Sequence, residues 1–130
     1  MEKTKLELLI VDDNKTFVDR MIRLLDELDN IGYIDVANSY DDAFWILTNE
    51  KPDLVLLDIN LKGKSGIDLL GIIKKMEWEC KVIMVSNHAD EYYRRECKNL
   101  GADYFLDKTN DFGLLPGIII SIQQNLTTTK

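Results

Sequence analysis

The chain has 130 residues, 45% hydrophobic and 30% charged, the size and composition of one compact domain with a core of its own. Its net charge of −7 argues against a general nucleic-acid binder, which would carry a basic face. No apolar run reaches the roughly 18 residues of a membrane span, no signal-peptide pattern precedes the first strand, and the single histidine, His88, excludes a multi-histidine metal site.

Leu6 to Val11 reads as a first strand, mostly buried, ending in Asp12-Asp13-Asn14. Asp13 or Asn14 can cap the helix that follows, where Phe17, Met21, Leu24, Leu25 and Leu28 form one apolar stripe. Asn30-Ile31-Gly32 should end that helix, and Tyr33 to Ala37 should be a second, shorter strand. Ser39 followed by Asp42 resembles a capping box with Asp in place of Glu, opening a helix with Ala43, Phe44, Ile46 and Leu47 that stops before Pro52. Asp53-Leu54-Val55-Leu56-Leu57-Asp58 is a short apolar run closed by a carboxylate, the pattern of a strand buried on both faces. A loop from Asn60 to Gly66 leads to a helix with Ile67, Leu70, Ile73 and Lys74, with Trp78 near its end. Cys80 to Ser86 is a fourth strand. Cys80 and Cys97 make no disulfide framework or metal spacing and read as reduced, partly buried thiols of a cytoplasmic protein. The segment from Ala89 to Leu100 is a polar helix with only Tyr93, Cys97 and Leu100 as an apolar line, terminated by Gly101. Asp103 to Asp107 is the fifth strand, closed by Lys108. Gly113, Pro116 and Gly117 delay the last helix to about Leu114 or Leu115, since proline is tolerated only in a first turn. That helix should run to Leu126, so that residues 1–126 form one domain and 127–130 a polar tail.

Five strands alternating with five helices call for βαβ units and a parallel sheet covered on both faces. In such a sheet every strand's carboxyl end lies on one edge. That edge then carries Asp12, Asp13, Asp58, Ser86 and Lys108. In the doubly wound order 2-1-3-4-5, strands one and three are neighbours and the ligand crevice lies between them. Each residue alone has a plain reading: a helix start, a turn hydroxyl, a solvated lysine. Together they crowd three carboxylates, which oppose each other's ionisation unless a cation is near. Carboxylates, a carbonyl and waters suit Mg²⁺ awaiting a phosphoryl oxygen. Lys108 and Ser86 are placed to bind phosphate oxygens, and Asp58, the middle carboxylate, is the natural nucleophile for an aspartyl phosphate. Asn60 and His88 follow Asp58 and Ser86 by two residues and should flank the phosphoryl group, where they would tune its lifetime. A solvated loop residue is an equal reading of His88.

With Leu9-Ile10-Val11-Asp12-Asp13-Asn14, Leu56-Leu57-Asp58-Ile59-Asn60-Leu61, Ser65-Gly66-Ile67-Asp68-Leu69-Leu70, Val85-Ser86 and Gly101 to Lys108, the chain resembles the receiver domain of two-component response regulators over nearly its whole length. The resemblance implies a flavodoxin-like (βα)5 fold and phosphorylation of Asp58 by a histidine kinase or phosphotransfer protein. It implies Mg²⁺ held by Asp12, Asp13, Asp58 and the backbone carbonyl of Asn60. It makes Ser86 and Phe105 switch residues, and makes the fourth helix, fifth strand and fifth helix the face offered to a protein partner or a second copy. Two positions depart from the family's habit. Thr109 stands where a proline with a cis bond is usual, and Lys62 where a loop proline is common. Nucleic-acid contact and membrane insertion are not expected. The chain is either a single-domain regulator acting by protein contact or a receiver cut from a longer one.

Three functions compete. The first is a phosphorylation switch that assists only its own phosphorylation and dephosphorylation and is otherwise no enzyme. The second is a receiver-like interaction module that no longer switches. The third is a small Mg²⁺-dependent phosphohydrolase. Such enzymes commonly need an acid two residues after the nucleophile, where this chain has Asn60.

Overall fold

The computed structural model describes residues 5–61, 64–87 and 90–128, the last three of these by backbone alone. Among the described residues the elements are β1 (Leu6–Val11), α1 (Lys15–Asp26), β2 (Ile31–Ala37), α2 (Tyr40–Glu50), β3 (Leu54–Leu57), α3 (Gly66–Ile73), β4 (Lys81–Ser86), α4 (Glu91–Asn99), β5 (Tyr104–Asp107), a 3₁₀ turn (Phe112–Leu114) and α5 (Leu115–Thr128). The strands form one parallel sheet in the order β2-β1-β3-β4-β5, as the flavodoxin-like reading requires.

Alternation along the strands divides the core into two layers. Leu9, Val11, Val55, Leu57, Val82 and Met84 face α2, α3 and α4, meeting Ala43, Leu47, Leu69, Leu70, Ile73 and Cys97. Leu8, Ile10, Leu54, Leu56, Ile83 and Val85 face α1 and α5, meeting Phe17, Met21, Leu25, Leu115, Ile119 and Ile122. β3 is buried at every position because both faces are covered.

Several boundaries differ from expectation. β2 begins at Ile31, not Tyr33, and its seven residues make it longer than β1. Asn30 takes the left-handed backbone (φ 62°), so the chain turns there and Ile31 can already pair with Leu6. As an edge strand, β2 stays mostly half-buried, which blurred its start in the sequence. In α2, Phe44 lies outside the apolar stripe. Tyr40, Ala43 and Leu47 carry that face instead, at spacings of three and four, and Phe44 is rotated about 100° from Ala43. The Ser39 hydroxyl accepts the Asp42 N–H, as a cap should (3.2 Å). α3 is already helical at Gly66 and stops at Ile73, so Trp78 lies beyond it, its indole N–H donated to the Pro52 carbonyl (2.9 Å). α4 is capped by Asp90, has Cys97 as its one buried residue, and ends before Gly101, which sits at φ +100°. Pro116 falls in the first turn of α5, and the helix continues to Thr128, beyond Leu126. The described residues hold no cis peptide, so the Lys108–Thr109 bond is trans. No helix among them is long and apolar enough to cross a membrane.

Candidate functional site

Val11, Leu57 and Met84 are register partners across the three central strands. The next residues, Asp12 and Asp58, therefore leave the sheet side by side. The Asp58 N–H donates to the Val11 carbonyl and the Asp12 N–H to that of Ala37, both at 3.0 Å. Asn14 caps α1 by accepting the Phe17 N–H (3.1 Å) while its own N–H donates to Asp12 Oδ1 (2.9 Å). That cap turns the chain so that Asp13 joins the cluster. Carboxylate oxygens of Asp12, Asp13 and Asp58 lie within 4.8 Å of one another, with Asp12 and Asp58 buried and Asp13 exposed.

Among the described residues one ammonium enters this group. Lys108, 7% exposed, donates to Asp12 Oδ2 at 2.8 Å and to Asp58 Oδ2 at 3.3 Å. Its N–H is donated to the Ser86 carbonyl (3.1 Å), tying the end of β5 to the end of β4, where Ser86 is fully buried. Asn60 is exposed, pairs with Ser65 in an antiparallel bridge and points its N–H at Asp58 Oδ1 (3.4 Å). Gly66 closes the loop from behind. Its N–H donates to the Ile59 carbonyl (2.6 Å), and a Cβ there would collide with the Asp58 carbonyl.

Three carboxylates against one ammonium leave the pocket electronegative. Burial, and then the charge of Asp12, push the Asp58 carboxyl above the usual carboxylate range, against the opposing pull of Lys108 and the Asn60 N–H. A cluster of hard oxygen donors with one exposed member fits a hard divalent cation such as Mg²⁺, which retains waters.

Of the expected site residues, Asp12, Asp13, Asp58 and Lys108 come together directly, and Ser86 is joined through the Lys108 backbone. Phe105 is half-buried on the α2–α3–α4 side of the sheet. Arg94 of α4 lies 5.0 Å over its ring, donates to its carbonyl (3.4 Å) and reaches Asp111 (3.6 Å). Lys62 and His88 lie outside the described residues. Phe17 makes a second contact that its place in the helical stripe does not show. Its ring lies under the Lys108 ammonium (4.6 Å to the centroid), on the wall of a cavity of about 280 Å³ that Asn14, Thr16, Arg20 and Thr109 also line. Helical spacing assigns Phe17 to the core stripe, and nothing in that spacing hints at a lysine from the far end of the chain.

The response regulator receiver domain family matches residues 8–119. The chain belongs to this family. It is 40% identical over 80 residues to the sensory transduction protein LytR of Staphylococcus haemolyticus, covering 62% of this chain and 31% of that protein. It is 28% identical over 100 residues to the DNA-binding transcriptional activator EvgA of Escherichia coli, covering 77% of this chain and 48% of that one. The chain thus spans less than half the length of these relatives. The signal receiver domain of the DNA binding response regulator merR from Colwellia psychrerythraea superposes with a TM-score of 0.86 at 27% identity, covering 92% of this chain and 99% of that one. In this receiver domain the acidic pocket is the cluster of Asp12, Asp13 and Asp58.

Proposed function

We propose that this cytoplasmic receiver accepts a phosphoryl group on Asp58 from a phosphohistidine of a histidine kinase or phosphotransfer protein, in a Mg²⁺-dependent reaction. The observation that carries the reading is Lys108 held between Asp12 and Asp58, at 2.8 and 3.3 Å, in a buried acidic pocket. An Asp58 carboxylate oxygen attacks phosphorus. The P–N bond breaks, and the donor imidazole leaves with the bonding pair. Mg²⁺ held by Asp12, Asp13, Asp58 and the Asn60 carbonyl would supply charge neutralisation for the carboxylates and the phosphoryl oxygens. Lys108 exchanges a carboxylate for a phosphoryl oxygen, and the Ser86 hydroxyl binds another. Burial of Asp58 limits water, and Asn60 with His88 sets the rate at which water returns the aspartyl phosphate to Asp58.

The switch follows from the same contacts. Ser86 moves toward the phosphoryl group, Phe105 turns inward, and Arg94 carries that change to α4. A helix with a single buried residue shifts at little cost. The α4–β5–α5 face, with Tyr92, Tyr104 and Ile120 exposed, then meets a protein partner or a second copy. With EvgA among the relatives, a DNA-directed output through further chain is the alternative. Asn60 in place of an acid disfavours a phosphohydrolase, and the gathered reactive groups disfavour a module that no longer switches. Acetyl phosphate with Mg²⁺ should label the wild type. Lys108→Ala should retain some labelling but lose the conformational response, seen as an unchanged spectrum on labelling. Turnover of small phosphate esters would instead point to the hydrolase, and His88→Ala or Asn60→Ala with unchanged decay of the aspartyl phosphate would remove that residue from the chemistry.

A further inference from the structure

We infer that Phe17 is a positioning residue for phosphoryl transfer: its ring holds the Lys108 ammonium in place when the carboxylates that now hold it are engaged by the metal and the phosphoryl group. The inference rests on Asp58 being the acceptor. Among the described residues Lys108 has two charged partners, Asp12 at 2.8 Å and Asp58 at 3.3 Å. Both belong to the acidic cluster. With a divalent cation on that cluster, Asp12 and Asp58 would be engaged by it, so the contacts that fix Lys108 would weaken when the reaction needs it. The Phe17 face, 4.6 Å from the ammonium, is a partner without formal charge. A hydrated Mg²⁺ competes poorly for it, because that ion prefers oxygen and keeps its waters.

The ring is itself fixed. Phe17 is almost fully buried and meets Phe112 edge to face, with centroids 5.6 Å apart and planes at 68°. The Arg20 guanidinium lies 4.3 Å over Phe112. Phe17 and Arg20 are three apart on α1, so one helical face presents both. The result is a chain of contacts from ammonium to ring to ring to guanidinium, joining α1, the 3₁₀ turn and the end of β5. With Thr109 following Lys108 through a trans bond, these ring contacts and the Lys108 N–H donated to Ser86 help aim the side chain alongside the two carboxylates.

The test is the initial rate of Asp58 labelling by acetyl phosphate in the full chain at saturating Mg²⁺. In that reaction an Asp58 oxygen bonds to phosphorus, the acetyl O–P bond breaks, and acetate leaves with the electron pair. Phe17→Leu keeps an apolar side chain in the core and removes the aromatic face. It should lower the maximal rate about three- to thirtyfold, the range a cation–ring contact spans from exposed to desolvated, with the Mg²⁺ half-saturation unchanged. Phe17→Tyr should restore a rate within about twofold of wild type. In a Lys108→Ala background the Leu substitution should have no further effect. Should Phe17→Leu prove poorly folded by urea titration, Phe112→Leu, at a half-buried position, should show a smaller drop of the same kind. A wild-type rate in Phe17→Leu, or in Phe112→Leu where it stands in, overturns the proposal. So does an undiminished effect without Lys108. Wild-type protein that takes no label, or Asp58→Asn that does, overturns the acceptor assignment instead and the proposal with it.

Discussion

Replacing Lys108 by methionine keeps most of the stem and removes the charge. At an effective dielectric of about 20, contacts of 2.8 and 3.3 Å are each worth about 5–6 kcal/mol of Coulombic attraction, much of it offset by desolvation of the three charges. Without the lysine, Asp12 and Asp58 remain buried with oxygens within 4.8 Å, a repulsion of about 3.5 kcal/mol or more at the same dielectric. Local relaxation and entering water reduce this, and the net loss should be about 3–5 kcal/mol, the usual cost of stripping one partner from a buried ionic group. The loss should depend on pH with a definite sign. Burial and Asp12 already raise the Asp58 carboxyl above its unfolded value, and Lys108 is what lowers it. Its removal raises that carboxyl further. A raised carboxyl contributes stability below the unfolded value, about 3.9, that is lost as pH rises through the folded value. The deficit against wild type should therefore be small near pH 4 and full at pH 7. Mg²⁺ at a hundredfold excess over its dissociation constant should return about 2.7 kcal/mol. Urea titrations of both proteins at the two pH values, with and without Mg²⁺, measure all three effects. A deficit below about 1 kcal/mol that does not change with pH would show that Lys108 behaves as a screened surface charge and does not hold the two carboxylates.

Other outcomes follow from the same structure. Gly66→Ala should cost about 2 kcal/mol or more in urea, because the new Cβ must displace the Asp58 backbone; an unchanged midpoint would mean α3 does not pack against the site. Burial pushes the Cys80 thiol up to about 12 and the Cys97 thiol to about 11, so neither should react with a thiol reagent at pH 8 in the native state, and both should in urea. Fast native reaction would place one at the surface. Ile120→Glu, at a position 43% exposed on α5, should weaken partner binding or self-association while leaving the labelling rate intact; identical sedimentation and pull-down behaviour would remove that residue from the output surface.

The site's membership was legible because parallel strands bring their carboxyl ends to one edge whatever the loops do. Asp12, Asp58 and Lys108 close apolar runs, and that placement alone predicts their meeting. The partners each chooses were not legible. That Lys108 bridges Asp12 and Asp58 and lies over Phe17 depends on a β5–α1 approach that no local pattern encodes. The same holds for Arg94 over Phe105, which joins α4 to β5 through a long side chain on a helix otherwise read as solvated. Local boundaries failed where burial is partial. β2, half-buried at the sheet edge, lacks the continuous apolar run that marked β3. Phe44 is one of the apolar residues of α2, and its angle on the helix places it outward. The delayed start of α5 was legible because Pro116 restricts the backbone directly, independent of packing.

Intact-mass measurement after incubation with acetyl phosphate decides whether Asp58 is the phosphoacceptor of a Mg²⁺-assisted reaction. Wild-type protein with Mg²⁺ should gain the mass of one phosphoryl group, lose it again on alkaline hydrolysis, and gain none when the metal is chelated. Asp58→Asn, folded by circular dichroism, should gain none under any condition. An Asp58→Asn protein that labels as the wild type does, or a wild type that labels equally well without the metal, would contradict that assignment.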